Sequence, residues 1–217
     1  RIFQYIDKCR VPENGKEGGW DVIYQNEDGI VLPDGDVVHT VYVEMKNKHN
    51  TMNSASAGKT YIKMQNQLLS DDDCACFLVE AIAQKSQNIK WETTVDGKRV
   101  SHKRIRRVSL DQFYAITTRE DNAFYNMCMV LPNVIEKVVK QDGTVQIPHD
   151  TVLQELKNIA DMSGRETEDM AMAIAVYMLG FNSYLGFSSL VGNDNNRTAN
   201  ENYLKRIYAY AKELHNG

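Results

Sequence analysis

Two stretches rich in β-branched and aromatic residues, "DVIYQ" and "VVHTVYVEM", flank "LPDGD", whose proline and Asp-Gly step suit a tight turn. They predict an antiparallel strand pair over residues 20–46. Next, "SASAGKTYIKMQNQLL" sets Tyr61, Met64 and Leu68 at helical spacing, and "CACFLVEAIA" is the unbroken apolar run of a buried strand. "KWETTVDGKRVSHKRI" predicts a hairpin about Asp96-Gly97. Ahead of all these, residues 1–9 read as the end of a helix with Ile2, Phe3 and Ile6 as its apolar stripe.

From Ser109 onward the pattern turns helical. Ser109 is placed to cap "LDQFYAIT", "DNAFYNMCMVL" runs up to Pro132, and Asp150 is placed to cap "TVLQELKNIA". "ETEDMAMAIAVYML" stops at Gly180, and "ENYLKRIYAYAKEL" closes the chain. The expected fold class is α/β, with mixed strands and helices followed by a helical part. "KQDGTVQIP" marks the boundary, dividing a first domain, residues 1–143, from a helical subdomain, 144–217. At 217 residues and 42% hydrophobic content the chain is long enough for a large core with an appendage. No internal repeat or low-complexity stretch interrupts it.

No run of about eighteen apolar residues occurs, which argues against a membrane-spanning helix. The start, "RIFQYIDKCRVPENG", lacks the apolar core and cleavage site of a signal peptide, and it begins with Arg1 rather than Met, so a preceding segment is expected. Four cysteines in a chain this long do not make a disulfide framework; Cys74 and Cys76 form a C-x-C with no second pair nearby, and reduced thiols in a cytoplasmic protein are the reading.

Net charge is −4, which taken alone speaks against nucleic acid, but the charges are segregated. "KRVSHKRIRR" (98–107) carries six Lys or Arg and no acid, and Lys46 to Lys63 holds four lysines, Lys59 among them, and again no acid. Acids gather in "SDDD" and "RETED". A basic face on a mildly acidic body fits a polyanion partner.

Strand geometry gives "VYVEMK" chemical content. Side chains alternate, so Val41, Val43 and Met45 share one face while Tyr42, Glu44 and Lys46 share the other, the last two about 7 Å apart along the strand. Charges held at the end of a packed strand need a partner. A carboxylate pair holds Mg²⁺ through hard oxygen ligands, and a neighbouring ammonium orients water and offsets charge on a phosphate. Asp21, after "GGW" on the neighbouring strand, is the second acid this requires. The alternative is a surface Glu–Lys cross-pair on an edge strand, which contributes little.

Together "GGWDVI", "VYVEMKNKHNTMNSASA" and "HKRIRRVSLDQFYAIT" resemble the type II restriction endonucleases of the PD-(D/E)XK superfamily, and more narrowly the branch that cuts the interrupted palindrome GGNCC. The resemblance covers roughly residues 1–140. It implies a restriction-endonuclease-like core with a central mixed sheet flanked by helices. Asp21 and Glu44 match the metal-binding acids and Lys46 the catalytic lysine. Trp20 stands where the family has proline. Members also place an acid or amide on a helix before the first strand, and Gln4 is the candidate for that place. The implied reaction is Mg²⁺-dependent in-line hydrolysis of both DNA strands, leaving 5′-phosphate ends. A homodimer on a palindromic site and a matching methyltransferase in the host are implied with it.

Lys48, His49, Asn50, Thr51 and Asn53 follow the catalytic strand and are expected at the DNA, while Asn53 or Ser54 also suits the N-cap of the next helix. Lys59, Arg99, Lys103, Arg104, Arg106 and Arg107 are the further expected contacts, with arginines reading guanine O6 and N7 and others holding phosphates. Two other functions share much of this signature. A structure-specific repair or junction nuclease would use the same three residues; a non-catalytic DNA-binding module would keep the basic face alone.

Overall fold

A computed structural model describes residues 2–13, 16–48, 52–128, 130, 181 and 183–187, Lys48 through its backbone alone. Within these residues lie six strands: β1 Cys9–Arg10, β2 Val22–Val31, β3 Val37–Lys48, β4 Cys74–Ile82, β5 Asn88–Val95 and β6 Lys98–Ser109. They form one mixed sheet in the order β1-β2-β3-β4-β6-β5. Helices α1 Ser54–Ser70 and α2 Leu110–Thr118 accompany them. The expected α/β class holds.

The connections follow from local chemistry. Turn residues at 33–35 join β2 to β3 antiparallel, as the Pro-Asp-Gly step requires. α1 carries the chain back, so β4 lies parallel to β3. Asn53 caps α1 through its side chain, which accepts from the Ser56 N–H at 2.8 Å, a contribution of about 1 kcal/mol. β4 is apolar apart from Glu80, as suits a strand covered on both faces. Cys76 and Leu78 join Ile23, Tyr61, Met64, Trp91 and Ile105 in the core beneath α1. Phe77 points to the other face, where Phe113 of α2 meets it at 6.5 Å.

The β5–β6 hairpin turns at Asp96-Gly97, both with positive φ (48° and 75°), as a two-residue type I′ turn demands. A register shift between Lys90 and Glu92 bends it. Val95 and Val100 then pack against the α1 core, and the Thr94 carbonyl lies 3.6 Å from where a Cβ on Gly58 would sit. The outer half of the hairpin thus rests on the first turns of α1.

Three expectations are corrected. Residues 1–9 are not the end of an α-helix: a 3₁₀ turn over Ile2–Tyr5 is followed by β1, whose pairing with β2 claims the backbone. Phe3 alone anchors the turn, with ring centroids 4.9 Å from Phe113 and 5.0 Å from Tyr114. Strand β2 runs beyond "DVIYQ", because an irregularity between Gln25 and Ile30 carries pairing on to Val31. Ser109 sits at the N-cap of α2 without a capping bond; its hydroxyl instead meets the Gln87 carbonyl and the Asp111 carboxylate.

The chain divides into a compact unit ending at Phe124 and a second from Tyr125. The expected boundary at 143/144, the helix capped by Asp150, the "MAMAIAVYML" helix and the closing helix lie outside the described residues. In the second unit the aromatics of "FNSYLGF" pack inward: Phe181, Tyr184 and Phe187 are buried, and Tyr125 meets Phe187 at 5.0 Å. Among the described residues no helix is long and apolar enough to cross a membrane.

Candidate active site

Asp21 stands at the entry to β2, and Glu44 and Lys46 lie near the exit of β3. Val22 pairs with Val43, and the Asp21 N–H donates to the Val43 carbonyl at 2.9 Å. Asp21 therefore lies across the ladder from Glu44. Alternation places Asp21, Ile23, Tyr42, Glu44 and Lys46 on one face, and the packing of Ile23 and Tyr42 identifies it as the face beneath α1. The Met45 N–H donates to Asp21 Oδ2 at 2.7 Å, which leaves Oδ1 uncommitted by that bond.

The approach to Asp21 explains the glycine pair. Glu17, Gly18 and Gly19 have φ of 49°, 76° and 66°, a left-handed run that glycine tolerates without steric cost. A Cβ on Gly18 would also stand 3.1 Å from Trp20 Nε1. Trp20 is buried with its ring 5.5 Å from that of Tyr42, and its Nε1 donates to Gln67 Oε1 of α1 at 3.2 Å.

Glu44 is the centre of the charge arrangement. Its Oε1 accepts from Lys46 Nζ at 2.9 Å and its Oε2 from Lys63 Nζ at 3.0 Å. Partial burial pushes the carboxyl up, but the hydrogen bonds and charges of Lys46 and Lys63 outweigh burial and hold it below the usual glutamate value. Lys63 also donates to the Gly19 carbonyl at 2.8 Å and lies 4.0 Å from the Trp20 ring centroid. Sequence reasoning missed Lys63 as a site residue. Its signal is a lysine between Tyr61 and Met64, the buried stripe of α1.

Two hard-oxygen carboxylates on adjacent strands suit Mg²⁺, which binds through one or two carboxylates and keeps water and phosphate as its other ligands. Among the described residues no group of three His, Cys, Asp or Glu gathers to enclose a metal ion. A carboxylate pair fits an open ion shared with water and a substrate.

The remaining expected site residues divide. Lys48's side chain and all of His49, Asn50 and Thr51 lie outside the described residues. Asn53 uses its oxygen as the α1 cap, and Lys59 is exposed on α1. Gln4 is exposed on the turn that Phe3 anchors to α2, on the far side of the sheet from Glu44, and it is not brought to the site.

The basic run is neutralised from outside itself, which corrects the premise that no acid answers it. Asp36 accepts from Arg104 Nε at 2.7 Å and Lys103 Nζ at 2.9 Å, and those bonds bring its carboxyl down to about 2. Exposed Arg99 pairs with Glu92. Arg106 is 5% exposed and donates to Asn88 Oδ1 at 2.6 Å, to the Asn88 carbonyl at 2.7 Å and to the Lys103 carbonyl at 3.1 Å. Arg107 donates to buried Glu80 at 2.5 Å. The guanidiniums of Arg106 and Arg107 are thus committed to partners within the fold.

A family model described as Eco47II restriction endonuclease matches residues 1–140. A curated relative, the Type II restriction enzyme Sau96I of Staphylococcus aureus, is 36% identical over 118 residues, which are 49% of this chain and 45% of the relative. The matched region thus spans less than half of that relative's length. No solved structure matches the chain.

Proposed function

Since the chain belongs to the Eco47II restriction endonuclease family, we propose that it is a Mg²⁺-dependent type II restriction endonuclease making double-strand cuts at GGNCC. The observation that carries this reading is the shared face of Asp21, Glu44 and Lys46 on adjacent strands, with Lys46 Nζ 2.9 Å from Glu44. The specificity rests on the relationship to Sau96I and on the segments after Glu44 that resemble the GGNCC-cutting branch. The sheet and its flanking helices support a restriction-endonuclease-like core.

In this account Asp21 and Glu44 would hold the ion, which when bound would polarise the phosphate and lower the pKa of water. Lys46 orients the attacking water and offsets charge growing on the phosphate oxygens. Attack in line breaks the P–O3′ bond, leaving a 5′-phosphate and a 3′-hydroxyl. The Gly18–Gly19 turn keeps bulk away from the approach to Asp21, while buried Trp20 closes the core beneath.

DNA is held by the exposed cations around the start of α1. Lys59 lies on that helix, and the hairpin tip that rests on it carries Lys98 and Arg99. Lys48, His49, Asn50, Thr51 and Asn53, which precede that helix in sequence, are the further contacts of this proposal. A palindromic site calls for two-fold symmetry, so the enzyme acts as a homodimer with one site per strand. It works in the cytoplasm beside a methyltransferase that protects the host's own sites.

Digestion of one plasmid carrying GGNCC sites and one lacking them tests this reading. Discrete fragments with GGNCC-derived ends from the first plasmid alone support it. An uncut first plasmid contradicts it, and cleavage confined to branched or nicked DNA favours a repair nuclease.

A further inference from the structure

Lys63 lies outside the Asp–Glu–Lys arrangement, yet its ammonium is held from three sides. Glu44 Oε2 accepts from it at 3.0 Å, the Gly19 carbonyl accepts at 2.8 Å, and the Trp20 ring lies 4.0 Å away. A carboxylate oxygen and a carbonyl oxygen are also the donors a hard divalent cation takes. One turn on, Gln67 accepts from Trp20 Nε1. α1 thus grips both Glu44 and the segment that leads into Asp21.

Glu44 has two oxygens and each accepts an ammonium. An incoming ion must therefore share or displace one of them. Lys46 and Lys63 differ in what they keep after displacement. Lys63 retains the Gly19 carbonyl and the Trp20 face, and its side chain is 32% exposed, so release from Glu44 does not strand a buried charge. Its anchorage on α1 also fixes where Glu44 points while no ion is bound.

We propose that Lys63 is a positioning residue: an internal counter-cation that holds the Glu44 carboxylate in place and competes with the divalent ion for it. The inference rests on the reading of Asp21 and Glu44 as metal ligands. It makes metal affinity a property tuned from α1, a helix that carries none of the proposed metal ligands. Removing the ammonium frees a carboxylate oxygen and removes a like charge from the ion's place, so the ion binds more tightly.

Calorimetric titration of the DNA-free full chain with Mn²⁺ tests this in the wild type, Lys63→Met, Lys63→Arg and Glu44→Gln. Lys63→Met is expected to bind Mn²⁺ about tenfold more tightly, the scale on which one close charge shifts a neighbouring equilibrium. Lys63→Arg, which keeps the charge, retains wild-type affinity, and Glu44→Gln weakens binding. If Lys63→Met proves unfolded by circular dichroism, Lys63→Gln takes its place with the same expected direction. Unchanged or weaker binding by the neutral variant, with Glu44→Gln still weakening it, overturns the role of Lys63 and leaves the metal site standing. Binding indifferent to Glu44→Gln overturns the metal site and the role of Lys63 together.

Discussion

The Met45 N–H donates to Asp21 Oδ2 at 2.7 Å, so the first acid of the site is bonded to the residue that separates Glu44 from Lys46. That bond commits one carboxylate oxygen to the fold, and the proposed chemistry calls on the other. Asp21→Asn keeps an acceptor for Met45 and loses the charge. Cleavage should fall on the order of a thousandfold, because several kcal/mol of transition-state stabilisation depend on the ion the charge holds. The melting temperature should stay near the wild-type value. Single-turnover cleavage and thermal unfolding of the same preparation check the pair of outcomes, and a large melting shift would assign Asp21 to the fold.

Glu44 links the site to pH. Its carboxyl is held below the ordinary glutamate value of 4.5 in the folded chain, against burial, by Lys46 and Lys63. A depressed folded pKa means the folded state favours the ionised form. The stabilisation is therefore present above the ordinary value and disappears as pH falls through the lower folded one. Urea midpoints of the wild type and Glu44→Gln should differ at pH 7 and converge toward pH 3. A gap that is constant across this range would contradict the ion-pair account.

Buried Glu80 pairs with partly buried Arg107, and among the described residues Glu80 Oε2 and Arg107 Nε have no hydrogen-bond partner. Removing one partner leaves the other charged and buried, so Arg107→Met should cost about 3–5 kcal/mol in urea unfolding. Replacing both with apolar residues of similar volume should recover most of that loss. If Arg107→Met leaves stability intact but weakens DNA binding, Arg107 belongs to the DNA surface after all.

Within the hairpin, position decides function. Arg106→Ala should destabilise the fold by about 1–3 kcal/mol, because the side-chain and backbone oxygens of Asn88 lose a buried donor in a partly buried place. Lys98→Ala and Arg99→Ala should leave stability alone. Each should weaken DNA binding across sequences and lower the salt slope by about one. Fluorescence anisotropy over a salt series with Ca²⁺ in place of Mg²⁺ measures both quantities.

These contrasts show what was legible in the sequence. Period-two alternation in "VYVEMK" put Glu44 and Lys46 on one face, and Asp96-Gly97 and Asn53 marked a turn and a cap whose chemistry is local. The partners of the basic run were not legible. Asp36 and Glu80 reach Arg104 and Arg107 through strand order and register, which depend on how distant segments stack, whereas Glu92 meets Arg99 across the hairpin itself. Lys63 escaped notice for the same reason: its contact with Glu44 depends on the rotation of α1 about its axis over the sheet. Residues 1–9 misled because their apolar spacing also suits a short turn pinned by Phe3.

The central claim is that Asp21, Glu44 and Lys46 make one Mg²⁺-dependent cutting site for GGNCC. Cleavage of a duplex holding a single GGNCC site, by the full-length wild type and by Glu44→Gln with and without Mg²⁺, tests it most directly. The account predicts two strand cuts with 5′-phosphate ends by the wild type in Mg²⁺, none without the ion, and none by Glu44→Gln although it still binds the duplex. Efficient cutting by Glu44→Gln, or by the wild type in the presence of a chelator, would contradict it.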